Sequence, residues 1–587
     1  MLRQQGTTEL GFHEDVDFQH RGYVLSKTRL NLTPQTSWLV PLCLLVATIT
    51  LGYLRLSTSF APYDDEGYVI VSLKSFMSGR PLYDATYTQY GPGYFFLSSW
   101  FHQITGLNID HDTMRFRMLF VWVLTSVSAG IAVSRLTQSR WLGLVGYAAA
   151  WFHLDRLGFE PGHPQDLCFV AIALSLLTAT GNTRRRWHFL ALGTLAGVTV
   201  MTKINIGVFL FIMATVTALV EMPATRLRNG LLVLFATGAA ILPLAIAKQN
   251  VLTFAGCQLP VVVGLGWIAL AVSFCRFRSE KAADSALLAL KNTIAVWTTF
   301  AGCVAFFCSL AIANGTSMQG LWFGLVGQHH GNVEHFYEHP PLFWFSFVVG
   351  VAGVFCSIAL SQRPLTARRI TLSRLVAYGF VVLLAGVGFR YVTDSITTID
   401  HGGNDRGHAA LLLSIVPAFA WLLIARPAHS AKTKIDPARI WLAVACVVMP
   451  MCPYPIPGTQ MAMAAFPLII VALVVVSDMR GWLQAGDDRL VCARTLIAVG
   501  VVCVMSLSLR AVHLGNQFAS MVPLNLPGAR HLRLSQDFVE ATHWTIDELR
   551  RRNATTFVRV HSGHNSLYAW SDPVSYTHLT LPTKRIV

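Results

Sequence analysis

From residue 38 onward, the chain alternates long apolar runs with short polar intervals. A helix rises about 1.5 Å per residue, so about 20 apolar residues cross the hydrocarbon core of a bilayer, and fewer suffice where neighbours shelter the ends. The runs at 38–56, 116–135, 141–153, 166–182, 187–202, 204–220, 230–247, 252–275, 293–312, 342–360, 374–390, 409–425, 439–452, 461–477 and 493–511 predict about 13–15 membrane-spanning helices. Two of them, 141–153 and 439–452, are short, and Lys203 divides 187–202 from 204–220. Between the first two runs the pattern changes. After Asp64, the apolar positions Val69, Ile70, Leu73, Phe76 and Met77 return at helical spacing, with Ser72, Lys74, Ser75 and Ser78 on other faces. Gly79 suits the end of that helix and Pro81 stops it. This predicts a short amphipathic helix lying in the membrane interface, then a second interfacial segment from Tyr94 to Gly106. Past residue 511 the chain turns mixed and polar. There "SQDFVEATHWTIDELRRR" reads as a helix and "TTFVRVHSG" as a strand, the start of a small, truncated α/β tail.

Composition fixes the class. Hydrophobic residues make up 53% of the chain, charged residues 13%, and the mean hydropathy is +0.50. A soluble domain carries about twice that share of charge. The expected fold class is therefore an all-α polytopic membrane protein. The net charge of +15 does not point to nucleic acid, because the basic residues sit in short clusters between apolar runs. Arg135 and Arg140, Arg184 to Arg186, Arg226 and Arg228, Arg276 to Lys281, Arg363 to Arg374, Arg426 to Lys434, and Arg480 and Arg489 fall on one side of a single alternation. That side is cytoplasmic by the positive-inside rule and includes the N-terminal segment 1–37. The membrane domain then covers 38–511, with a first outer loop at 57–115 and an outer C-terminal segment at 512–572. Residues 573–587 change character abruptly and read as translated adaptor sequence, set aside from the fold. The polar start predicts no cleavable signal peptide. The eleven cysteines form no CxxC pattern and read as small buried hydrophobes.

The outer loops are long and rich in His, Asp, Gly and Pro, whereas the inner ones are short and basic. Chemistry is therefore expected on the outer face. The first outer loop opens with Asp64, Asp65 and Glu66. One acid suffices to cap a helix, and an acid in the first turn complements the helix dipole. The second outer loop holds Asp155, Glu160, His163 and Asp166, the last of which also suits a helix start after Pro164. Lys203, between two apolar runs, is costly at that depth unless it pairs or reaches the interface. "QHHGNVEHFYEHPP" offers His and Glu at helical spacing for a divalent cation. Pro340 and Pro341 break such a helix, however, and the spacing fits a loop lining the site better. "DHGGNDRGHAALLL" puts Arg406 and His408 above a span, where a cation clamps a phosphate or anchors in the interface. "YPIPGTQ" reads as a structural turn. Neither G-x-G-x-x-G nor a Walker A sequence is present, so no nucleotide cofactor is indicated.

The stretch "DEGYVIVSLKSFMSGRPLYD...YGPGYFF" resembles the first outer loop of GT-C-type integral membrane glycosyltransferases. It is most similar to the RgtA/B/C/D-like and protein-mannosyltransferase-like group, which includes the aminoarabinose transferases acting on lipid A. "HPQDLCFVAIALSLL" and "LGTLAGVTVMTKINIGVF" follow the group's layout within residues 38–511. The resemblance implies a multi-pass enzyme of the plasma or inner membrane. Such enzymes move a sugar, with inversion, from a polyprenyl-phosphate donor to an acceptor hydroxyl on a lipid, glycan or protein. It implies Asp65 as general base with Glu66 as alternate, and Asp166, with Asp155 and His163 beside it, positioning acceptor or donor; Lys203, Arg406 and His408, picked out by their places in the chain, are the candidates for holding the donor phosphate such chemistry requires. No residues are assigned as metal ligands and no cofactor is expected, with a divalent cation as the alternative. The chain departs from some relatives in lacking an Arg soon after the Asp-Glu pair, where Tyr68 stands. Two other classes compete. A lipid-linked saccharide or solute transporter needs ionisable groups at mid-span and inverted repeats. A polysaccharide polymerase or ligase needs a large outer loop with catalytic Arg or His.

Overall fold

The computed structural model describes residues 38–61, 63–155, 157–158, 160–181, 186–222, 225–247, 253–276, 284–328, 342–360, 376, 379, 407–424, 436–453, 458–483, 489–554 and 565–571. It is helical almost throughout. The chain runs α1 (Leu39–Thr58), α2 (Asp65–Met77), α3 (Pro92–Thr105), α4 (His111–Thr137), α5 (Arg140–Asp155), α6 (Gln165–Ala179), α7 (Trp187–Val200), α8 (Ile204–Val220) and α9 (Arg226–Ala247). It continues through α10 (Phe254–Arg276), α11 (Asp284–Ala313), α12 (Met318–Trp322), α13 (Ser346–Leu360), α14 (Gly407–Ile415), α15 (Pro437–Val448), α16 (Gln460–Leu483) and α17 (Arg489–Ser520). A short antiparallel pair, β1 (Val522–Pro523) with β2 (Arg533–Leu534), leads to α18 (Gln536–Arg551) and α19 (Ser566–Trp570).

Five of the described helices, α1, α4 and the apolar stretches of α10, α11 and α16, are long and apolar enough to cross a membrane. Six shorter apolar helices accompany them, and the run at 374–390 lies almost wholly outside the described residues. Local chemistry sets the ends. Asp110 caps α4 by accepting from the Thr113 amide at 2.9 Å, and Asp436 caps α15 with Pro437 at its first position. Past α14, Pro417 supplies no amide and the chain narrows to a 3₁₀ turn over Val416–Leu423. The core is a continuous apolar cluster in which Trp122, Phe169, Trp441 and Phe466 are fully buried. Gly193 and Gly197, four apart on α7, admit the α11 backbone, since a Cβ on Gly193 would stand 2.3 Å from the Val296 carbonyl oxygen. The eight described cysteines are all free thiols.

The structure departs from the sequence expectation in two places, and a third expectation goes untested. Helix α17 continues to Ser520, so the polar tail starts later than residue 512. The strand expected at "TTFVRVHSG" lies outside the described residues. Helix α2 is not an open amphipathic helix. Its apolar face packs on α3 and α4 through Val69, Ile70, Leu73 and Phe76, and its first turn is covered too, with Glu66 and Gly67 buried.

Candidate active site

The three consecutive acids have three different fates. Asp64 caps α2, accepting from the Gly67 amide at 2.8 Å. Its φ of 54° is left-handed, a conformation that a short side chain bonded to its own backbone tolerates. Glu66 points the opposite way, into the bundle. Arg115 of α4 grips it with two bonds, Nε to Oε1 at 2.9 Å and Nη2 to Oε2 at 2.5 Å. Arg115 also donates to the carbonyls of Leu56 and Ser59, so one guanidinium ties α1, α2 and α4 together. Asp65, between them, is half-buried, and among the described residues no hydrogen bond or ion pair engages its carboxylate. Burial pushes it up to about 6, partly offset by the Lys203 charge.

The "YGPG" stretch brings Lys203 close enough for its charge to act on Asp65. The Gly91 amide donates to the Thr202 carbonyl at 3.1 Å and the Gly93 amide to the Met201 carbonyl at 2.7 Å. This locks the start of α3 onto the turn between α7 and α8. Only glycine fits there: a Cβ on Gly91 would stand 2.1 Å from the Met201 oxygen. Lys203 is the N-terminal flanking residue of α8. Among the described residues its amine makes no hydrogen bond or ion pair, and the acids acting on it are Glu160 and Asp65.

The loop between α5 and α6 closes the other side. Glu160 is buried, accepting from the Tyr63 hydroxyl at 2.9 Å and from Gln165 Nε2 at 3.2 Å. Burial, then the Asp65 charge, pushes it up to about 7. His163 Nε2 bonds the Tyr90 hydroxyl, and its Nδ1 accepts from the Gln165 amide at 3.3 Å. Because Nδ1 accepts, Nε2 carries the proton. Burial and the Lys203 charge hold this ring well below the usual imidazole range, so it is neutral. Asp166 sits in the first turn of α6 but does not cap it. It is buried between the charges of Arg117 and Glu160. Arg117 bonds Ser98 Oγ at 3.0 Å and lies 5.7 Å from the centre of the Tyr94 ring.

Two of the sequence-expected residues serve elsewhere. Asp155 accepts from Arg510 Nε at 2.7 Å, a buried ion pair joining α5 to α17. Both oxygens of Glu66 are occupied by Arg115, which leaves none for a substrate. Arg406 and the His408 side chain lie outside the described residues, as does the His-rich segment 329–341. Among the described residues no group of three or more His, Cys, Asp or Glu is placed to hold a metal ion.

Several site residues escaped the sequence reading. Glu160 was visible only as one acid among several, and Tyr63 and Tyr90 carried no signal. At the described end of "YPIPGTQ", Thr459 Oγ1 accepts from Gln165, and Gln460 accepts from Asn205 at 2.6 Å, so these two residues brace both α6 and α8 beside the site. Arg115 and Arg117 stand where α4 enters the bundle, and buried charges there need partners. That rule, applied to "DTMRFRM", would have marked both. The sequence matches no protein-family model and no curated protein.

Proposed function

We propose that the chain is a membrane glycosyltransferase, moving a sugar from a polyprenyl-phosphate donor to an acceptor hydroxyl at the outer face, with Asp65 as general base. The observation that carries this reading is the division of labour among the three acids. Asp64 and Glu66 are consumed by the fold, while among the described residues Asp65 is left without a bond and so is Lys203, whose charge acts on it. A carboxyl pushed up to about 6 is a better base than an exposed one, because its affinity for the proton lies closer to working pH.

In this mechanism the acceptor hydroxyl donates its proton to Asp65, and its oxygen attacks the anomeric carbon from the face opposite the phosphate. The bond from that carbon to the phosphate oxygen breaks, and polyprenyl phosphate leaves with the electron pair. Its charge needs no general acid, only a cation, and Lys203 supplies one. The neutral His163, bonded to Tyr90, and the pair Asp166 and Arg117 are polar groups for orienting sugar or acceptor. Glu160, whose charge acts on both Lys203 and Asp65, is a second carboxyl to which Asp65 could pass that proton.

The experiment is direct. Purified protein incubated with polyprenyl-phosphate hexoses and pentoses, and with membrane lipids as acceptors, is expected to release polyprenyl phosphate and form a glycosylated product detectable by mass spectrometry. Donors that stay intact with every acceptor, while the protein moves them across vesicle bilayers, would replace this reading with the transporter.

A further inference from the structure

Ser566 is 502 positions from Asp64 along the chain and is bonded to it twice. Its amide donates to Oδ2 at 2.5 Å and its hydroxyl to Oδ1 at 2.8 Å. Asn565 Nδ2 adds a bond to the Asp64 carbonyl at 3.1 Å. Behind Ser566 stand His111, whose Nε2 is 2.7 Å from the hydroxyl, and Trp570, whose indole donates to His111 Nδ1 at 3.2 Å. Asp64, His111, Ser566 and Trp570 are each no more than 2% exposed.

The direction of every bond in this chain follows from its far end. An indole N–H only donates, so His111 Nδ1 carries no proton. The ring's proton is then on Nε2 and points at the Ser566 oxygen. The serine's single proton is left to turn toward Asp64. Three donors, the Ser566 hydroxyl and the amides of Ser566 and Gly67, converge on one carboxylate and favour its anion against burial, which still pushes Asp64 up to about 6, so it is ionised at neutral pH. The fit leaves no slack: a Cβ on Gly67 would stand 2.2 Å from the Ser566 nitrogen.

We infer that Trp570, His111 and Ser566 form a positioning clasp, which fixes Asp64 as the anionic cap of α2 and thereby holds the next residue, Asp65, in its water-poor setting. The inference rests on the reading of Asp65 as the base. Residues 565–571 are then a working part of the site, although none of them touches substrate. Opening the clasp lets water into the first turn of α2. Asp65 then loses the burial that raises it, and its carboxyl returns toward the ordinary range.

The test uses the full-length protein in detergent and four variants: Ser566→Ala, Trp570→Phe, His111→Leu and His111→Gln. Glutamine can accept from Trp570 and donate to Ser566, whereas leucine can do neither. Amide hydrogen exchange across residues 65–70 is expected to quicken at least tenfold in Ser566→Ala and His111→Leu, and to stay within about threefold of the parent in His111→Gln. With a polyprenyl-phosphate hexose as donor, kcat falls about tenfold in the first two at unchanged KM, and the acidic limb of the pH profile moves to lower pH. His111→Gln restores both. Unchanged exchange in Ser566→Ala and His111→Leu overturns the clasp, as does a His111→Gln variant as impaired as His111→Leu. If Ser566→Ala does not fold, Trp570→Phe, which frees the imidazole tautomer, takes its place with the same expected outcome. Exchange is read without donor. A parent protein that transfers no sugar yet shows the exchange pattern refutes the glycosyltransferase reading and leaves the clasp standing.

Discussion

At the scale of single residues, position in a short sequence says little about role until partners are known. Asp64, Asp65 and Glu66 are adjacent acids, yet one is a cap, one is open and one is half of a buried ion pair. Arg115 and Glu66 are 5% and 3% exposed. Removing one partner strands a buried charge, at a cost of about 3–5 kcal/mol. Arg115→Ala is therefore expected to lower the unfolding midpoint sharply, while the paired change Arg115→Met with Glu66→Gln recovers much of the loss. A thermal melt of the three proteins checks this. Lys203 gives a prediction with a sign. Its charge pulls the Asp65 carboxyl down against burial. In Lys203→Gln that pull is gone, so the acidic limb of the transfer rate should move to higher pH and kcat/KM should fall. A limb that stays in place separates Lys203 from Asp65.

At the scale of elements, the site exists because backbone docks on backbone. The "YGPG" stretch was visible in the sequence as the entry to the segment from Tyr94 to Gly106, and proline suits the first position of a helix. Its purpose was not legible, because the bonds from Gly91 and Gly93 to the α7–α8 turn run between segments more than a hundred residues apart. Gly91→Ala drives a methyl group into the Met201 carbonyl and must push α3 away. Transfer should drop at least tenfold while helix content by circular dichroism holds, and Gly302→Ala on α11, with nothing within 4 Å of its Cβ and an ordinary helical φ, should cost far less activity. Apolar periodicity placed the helices well because each helix answers mainly to its own stretch of sequence. It misjudged α2 because the cover over its first turn comes from residues 565–571, and no local pattern announces a partner that remote.

At the scale of the whole molecule, a membrane-embedded bundle holds carboxyls that would prefer to be protonated. Burial raises Asp65 to about 6 and Glu160 to about 7. A carboxyl whose affinity for protons is higher folded than unfolded contributes stability at low pH and loses it as pH rises through the folded value. The contribution of these two carboxyls should therefore grow as pH falls from about 8 toward 5, opposed by the buried neutral rings of His111 and His163, which favour unfolding once free imidazoles take up protons. Asp65→Asn should melt at a higher temperature than the parent at pH 8 and at nearly the same temperature near pH 4.5. That is the pattern of a site in which function opposes stability. The class of the molecule was legible in composition, since 53% hydrophobic and 13% charged residues leave little else. The electrostatic coupling of Asp65 with Glu160 and Lys203 was not, because it depends on segments distant in sequence meeting in space.

The central claim is that Asp65 takes the acceptor's proton. The most direct measurement is the pH dependence of sugar transfer from a polyprenyl-phosphate donor, in single turnover, for the parent and Asp65→Asn. The parent should lose activity below an acidic limb near pH 6, where the base becomes protonated. Asp65→Asn should be slower by about 10²- to 10⁴-fold and show no such limb. An Asp65→Asn protein that transfers sugar at the parent rate, with the limb intact, would contradict the account.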